Sequence, residues 1–531
     1  MGTNMYHVSF HSRSTPDKIA YLMVPSGQAV TYRELDERSI QGSHLLRNAG
    51  LRRGATIAIL MENNPRYFEL TWAADRSGLY YTCISNRLTA AEAAYIVVDS
   101  GAAVLFSSRE LLPLAAEVAR LVPCLRCYLV DGAAEGFGDY VAERDGQPRE
   151  PIMDESAGMP MLYSSGTTGR PKGVKFDLPD APLGTIDALT QIARRDFAFN
   201  QDMVYLSPAP FYHSAPLRYS MTAQRCGATV IALEHFDAQL SLETLEKYRV
   251  THSQWVPTHF VRMIKLDPSI REKYDLSAMQ VAIHAAAPCP VPIKQAMLKW
   301  WGPIIHEFYA GTEFNGLTHI DSKDWLNHPG SVGRASFGRI HICGEGGEEL
   351  PARAEGLIYF EEGNRFSYHN DPEKTTEAYN AHGWSTLGDI GWVDEEGYLY
   401  LTDRKSFMII SGGVNIYPQE VENIIVTHPK VADVAVVGAP DEDFGEKLVA
   451  VVQPLDWQDA TDAFGEEIKA HVMAHLARFK VPRIVNFMRE LPRHPTGKLY
   501  KRLIRDEYWK DTGAKNTPPA ATGSKPHAVA N

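Results

Sequence analysis

The sequence predicts an α/β protein with a large N-terminal domain of stacked, mostly parallel sheets and helices and a small α+β C-terminal domain. Three observations predict it. At 531 residues the chain is several times the usual domain of about 100–200 residues. Its N-terminal stretch alternates helix and strand patterns, which argues for a parallel sheet covered by helices. Near residue 400 the pattern changes to short strands, glycine turns and amphipathic helices.

Taken in order, Thr31–Glu34 ("TYRE") is a capping-box pattern that opens a helix running toward "LLRNAG". "TIAILM" (Thr56–Met61) follows as a buried strand. The unit recurs: "TAAE" (Thr89–Glu92) opens a second helix and "AAVLFSS" reads as the next strand. The alternation continues through "ATVIAL", the helical "SLETLEKYRV" and "THSQWVP". After "GYLYLTDRKSFMIISGGVNIYP" come a short helix ("PQEVENIIVTHP"), two strands ("VADVAVVGAP", "KLVAVVQPL") and a helix. In that helix Ile468, Val472, Leu476 and Phe479 are spaced to form one apolar face. The expected boundaries are 1–404, 405–512, and a Pro-, Ala-, Gly- and Ser-rich tail over 513–531, expected to be disordered. No tandem repeat of 20–50 residues is found.

A net charge of -12 and a pI near 5.9 argue against nucleic acid as the main partner, since phosphate backbones need a positive surface. Six cysteines in such a long chain make no disulfide framework and fit a reducing compartment. The lone pair Cys124 and Cys127 ("PCLRC") lacks a second set at zinc spacing and reads as two unrelated thiols. No secretory signal and no run of about 18 apolar residues occur, so a cytoplasmic protein without a membrane span is expected.

"LYSSGTTGRPKGVK" (Leu162–Lys175) raises the question of function. A strand entering a glycine- and hydroxyl-rich turn offers successive N–H and O–H donors to phosphate oxygens, and Lys172 adds a point charge. It is not the Walker loop, because no Gly-Lys-[Ser/Thr] occurs. The pattern resembles the phosphate loop of the adenylate-forming superfamily, which includes acyl-CoA synthetases, adenylation domains and luciferase. Four further segments follow in the family's order: "FYAGTEFNG" (Phe308–Gly316), "STLGDIGWVDEEGYLYLTDR" (Ser385–Arg404), "IISGGVNIYPQEVE" and "RHPTGKLYKR". The resemblance runs from about residue 10 to 505.

What this implies is a carboxylate attacking the α-phosphorus of ATP, giving acyl-AMP and pyrophosphate, and then a thiol attacking the acyl-AMP. Ser164, Ser165, Gly166, Thr167, Thr168, Gly169 and Lys172 would bind phosphates. Glu313 would hold Mg²⁺, and Thr312 would donate to the α-phosphate. Asp389 and Arg404 would clamp the ribose. Ala286 and Ala287 of "HAAAPCP" would face the adenine base or the acyl group, and Glu307, Phe308 and Tyr309 would flank the nucleotide; the family often has glycine where these alanines stand. Lys498 would bridge carboxylate and α-phosphate. The small domain would be mobile about Ser406, where Lys or Asp is usual in the family, with Ser411, Gly412 and Gly413 lining a tunnel for coenzyme A.

Tyr212 and His213 ("PAPFYHSAPLRYS") and Trp255 and His259 ("SQWVPTHF") would line the acyl pocket, with base catalysis by histidine the minor reading. The "FYAGTE" variant resembles fatty-acid and very-long-chain relatives, so a medium-to-long fatty acid or another bulky apolar acid, aryl and sterol side-chain acids included, is the expected substrate. Alternatives are an enzyme that loads a carrier protein and a nonenzymatic nucleotide-binding relative. A homodimer is left open.

Overall fold

The computed structural model describes residues 5–164, 171–404, 407–412, 414–493 and 499–510. These fall into two compact units, one of the residues up to Thr402 together with Arg493, the other Asp403–Pro492 with the residues from Leu499.

The first unit is built on two large sheets. In one, strands Ile19–Val24, Thr229–Leu233, Val204–Ser207, His252–Trp255, Val281–His284 and Ile305–Tyr309 lie side by side in that order, all parallel. Antiparallel strands Ala29–Thr31 at one edge and Leu317–Ile320 and Arg334–Phe337 at the other extend it to nine. The other sheet has six parallel strands, with Thr56–Leu60 and Tyr80–Ile84 as neighbours away from its edges. Every residue of those two strands is buried, because helices or a second sheet cover both faces. One apolar core runs between the sheets, joining Ile57, Tyr81 and Val104 to Tyr205, Val230 and Ile283. The helix Arg66–Arg76 carries Glu69 into this interior with no exposure, where Arg66 (2.8 Å), Arg38 (3.1 Å) and Arg144 pair with it.

Both capping boxes are present: Thr31 and Glu34 exchange side-chain and backbone hydrogen bonds at the start of Tyr32–Asn48, and Thr89 and Glu92 do so at Ala90–Asp99. A small antiparallel sheet of Leu162–Ser164, Lys172–Lys175 and Ser367–Tyr368 completes the part of this unit that bears on the site.

In the second unit the strands Val431–Asp441 and Gly445–Pro454 form a long antiparallel pair, flanked by Ile409–Ser411 and Ile484–Phe487. Helices Pro418–Ile425 and Asp462–Met473 bury Val421, Ile425, Ile468 and Val472 in its core. The expected apolar helix face is shorter than its spacing suggested. The helix stops at Met473 and Leu476 packs beside it, but Phe479 is 54% exposed in a 3₁₀ turn, Arg478–Lys480. The chain is already extended at Ala477 (φ −60°, ψ 146°), so the helical period is broken before Phe479 is reached. Cys124 is an exposed and Cys127 a buried free thiol. No described helix is long and apolar enough to cross a membrane.

Candidate active site

Four neighbouring parallel strands end on one edge of the nine-stranded sheet, and the segments singled out by motif leave from those ends. Val204–Ser207 leads to Tyr212 and His213, His252–Trp255 to His259, Val281–His284 to Ala286 and Ala287, and Ile305–Tyr309 to Thr312 and Glu313. Crevices at the carboxyl ends of parallel strands are where open α/β sheets bind ligands.

Ser164 and Lys172 are direct cross-strand partners at the ends of their strands. Ser165, Gly166, Thr167, Thr168 and Gly169 lie outside the described residues, as do Ser406, Gly413 and Lys498. Lys172 is half-buried, its ammonium 5.2 Å from the centre of the Tyr368 ring. Burial and the Lys374 charge pull its pKa below the usual lysine value, while Asp371, Glu377 and Glu313 oppose this.

Glu313 is buried, and the Tyr368 phenol donates to its Oε1 at 3.0 Å. Thr312 is half-buried beside it. Gly311 allows the carboxylate to fold back: a Cβ there would stand 2.7 Å from Glu313 Oε2 and 2.6 Å from Leu387 Cδ1. Asn315, fully buried, ties the segment down by donating to the Ser385 carbonyl (3.2 Å) and Oγ (3.0 Å). Among the described residues no three His, Cys, Asp or Glu side chains gather to hold a metal. A cation here would have Glu313 as its protein carboxylate and phosphates and water for the rest, the coordination Mg²⁺ ordinarily takes.

Asp389 is buried in strand Ser385–Val393, and the Tyr309 phenol donates to its Oδ2 at 2.7 Å. Arg404 ends strand Leu399–Arg404, but its side chain is outside the described part. Glu307 and Phe308 differ from expectation. Glu307 Oε2 accepts from Lys294 at 2.6 Å beneath the strand, and both residues are buried. His284, with no exposure, lies 3.4 Å from the same oxygen. Phe308 packs against Tyr219 and Phe197. Strand alternation puts these two side chains on opposite faces of the sheet. Ala286 has φ +78°, a conformation that suits glycine and costs an alanine about 1 kcal/mol.

Of the acyl-pocket candidates, Tyr212 and His213 meet with their rings tilted 58° and centroids 4.5 Å apart, and the Tyr212 phenol is buried near Ser85 and Arg87. His259 stacks flat on Phe236, centroids 3.9 Å apart. Burial, with Arg262 and His213 adding to it, pushes its pKa down to about 3, so it is an aromatic wall and a poor base at neutral pH. Trp255 is 1% exposed. Its indole N–H donates to Ser253 Oγ at 2.7 Å, and its rings are buried against Trp301 and Phe260.

Ser411 pairs with Gly445 in the second unit, and Gly412, at φ +59°, donates its N–H to the Phe444 carbonyl at 2.8 Å. Tyr368 escaped the motif reading: it sits in "RFSYHNDP", which carries no chemical signature, and only strand pairing brings it to Lys172.

Polar loops at the carboxyl edge of a parallel sheet define a ligand-binding α/β enzyme class. Residues 9–367 match the AMP-binding enzyme family and residues 420–498 the AMP-binding enzyme C-terminal domain. The chain belongs to this family, the adenylate-forming superfamily that includes acyl-CoA synthetases. It is 30% identical to the fatty acid–[acyl-carrier-protein] ligase ScoC of Streptomyces coeruleorubidus, covering 96% of each chain. To the long-chain-fatty-acid–CoA ligase FadD13 of Mycobacterium tuberculosis it is 32% identical, over 93% of this chain and 96% of that one. The fold matches ATP-bound MatB from Rhodopseudomonas palustris with a TM-score of 0.80 and 28% identity, over 96% of this chain and all of that one (100%).

Proposed function

We propose that the protein is an ATP-dependent acid–CoA ligase that activates a medium- or long-chain fatty acid, or another bulky apolar carboxylic acid. The observation that carries this is the convergence of Lys172 and Glu313, 141 residues apart in sequence, on one tyrosine beside the strand ends. A carboxylate is a poor electrophile, and activation requires two anions to meet. A substrate carboxylate oxygen attacks the α-phosphorus of ATP, the bond to the bridging oxygen breaks, and pyrophosphate leaves. Lys172 and the loop before it offset charge on the phosphates, and Asp389, oriented by Tyr309, accepts from ribose hydroxyls. Mg²⁺ at Glu313 would supply charge neutralisation across the phosphates. Lys498 steadies the attacking carboxylate and the α-phosphate. In the second step a thiolate attacks the acyl carbon, the mixed anhydride breaks, and AMP leaves. His259, Phe236 and Tyr212 offer aromatic surface, which favours an apolar acid over an amino acid.

The similarity to ScoC favours one second reading, transfer of the acyl group to the phosphopantetheine thiol of a carrier protein. Pyrophosphate release by the full chain with ATP, Mg²⁺ and a panel of acids, with CoA, with a carrier protein bearing the phosphopantetheine arm, or with neither, separates the two. Sustained release requiring CoA and an apolar acid, with thioester and AMP as products, is expected. Turnover only with the carrier protein would replace the CoA assignment, and no release with any acid would overturn the proposal.

A further inference from the structure

Two residues expected at the phosphates, from different segments, meet at Tyr368. Its phenol donates to Glu313 Oε1 at 3.0 Å, and its ring lies 5.2 Å from Lys172 Nζ. The register explains the second contact: Tyr368 pairs with Val174, so Lys172 is its diagonal neighbour on the same face. The tyrosine is itself held. Its N–H donates to Thr375 Oγ1 at 2.9 Å, and Phe366 packs edge-on to its ring at 5.4 Å.

Resting on the function proposed above, we infer that Tyr368 is a positioning residue with two separable tasks. Its hydroxyl orients Glu313 toward a divalent cation, and its ring sets Lys172 toward the phosphates of ATP. A carboxylate bonded through Oε1 can no longer turn freely, and Oε2 is then the oxygen presented for coordination. Partners of metal-ligating side chains matter in this way, and their loss typically costs about 10–100-fold in metal affinity. The ring acts differently. A lysine side chain samples many rotamers, and a cation–π contact restricts the ammonium before the nucleotide arrives.

The two tasks predict different responses. Tyr368→Phe keeps the ring and removes the hydroxyl; Tyr368→Leu removes both. Binding of Mn²⁺ to the protein–ATP complex is measured by electron paramagnetic resonance. Binding of ATP in excess chelator is measured by calorimetry, with Glu313→Gln as a control. Tyr368→Phe should weaken Mn²⁺ binding about tenfold and leave metal-free ATP affinity within about twofold of wild type. Tyr368→Leu should weaken both. If Glu313→Gln weakens Mn²⁺ binding and Tyr368→Phe does not, the hydroxyl has no such task, although the site reading stands. Metal-free ATP affinity equal in the Phe and Leu variants removes the ring's task. Unchanged Mn²⁺ binding in Glu313→Gln means the reading of Glu313 itself fails. Because Tyr368→Phe deletes a single oxygen, it tests the hydroxyl even if the leucine variant does not fold.

Discussion

Tyr309 and Tyr368 do the same thing to two different carboxylates: each phenol donates to one oxygen, Asp389 Oδ2 or Glu313 Oε1, and fixes how the carboxylate is turned. The histidines show the opposite treatment. His259 is held near pKa 3 by burial, and His252 and His306 near 4. In the unfolded chain each titrates near 6.5, so the unfolded state binds protons that the folded state refuses. Stability is therefore full above about pH 6.5 and falls as pH drops toward the folded values, by about 2 kcal/mol per such histidine between pH 7 and 5. His259→Phe keeps the stacking surface on Phe236 and removes one proton from the balance. Its denaturation free energy should fall about 2 kcal/mol less than wild type over that interval. An unchanged pH dependence would mean that His259 titrates normally in the folded protein.

Among elements, the capped helices and the small three-stranded sheet differ in what specifies them. Tyr32–Asn48 and Ala90–Asp99 are local objects: Thr31 with Glu34 and Thr89 with Glu92 satisfy the free N–H groups of the first turn. Thr31→Ala and Thr89→Ala should each cost about 1 kcal/mol in chemical denaturation, nearly additively because the boxes share no partner, while Thr→Asn should cost little. The pairing of Ser367–Tyr368 with Lys172–Lys175 joins segments nearly two hundred residues apart. No local pattern encodes that. The tyrosine–carboxylate–lysine arrangement was therefore illegible from sequence, although Lys172 and Glu313 themselves stood out by motif.

At the scale of the whole molecule, the proposed chemistry has two half-reactions, and these should separate by variant. Lys498→Ala is expected to slow adenylate formation by about 10²–10³-fold, measured as acid-dependent pyrophosphate exchange. Thioester formation from added acyl-AMP should stay within a few-fold. Ser406→Pro, which locks φ and removes an N–H at the expected pivot, should do the reverse, slowing thioester formation more than exchange. Equal losses in both half-reactions for both variants would argue against a divided mechanism.

The sequence by itself determined the local and the chemical: the helix starts, the buried strand runs, the order of the motifs, and which residue types could meet phosphate, ribose and metal. These are legible because capping, periodicity and glycine-rich turns act over a few residues. Tertiary structure decided what each side chain faces. Trp255, expected at the acyl pocket, and Phe308, expected beside the nucleotide, are buried among core side chains, Glu307 is tied to Lys294, and Phe479 lies outside the helix its spacing suggested. Only the fold could make Tyr368 the meeting point of Lys172 and Glu313. Facing is set by strand register and by contacts between segments far apart in sequence, and a pattern read within one segment carries no record of its partner.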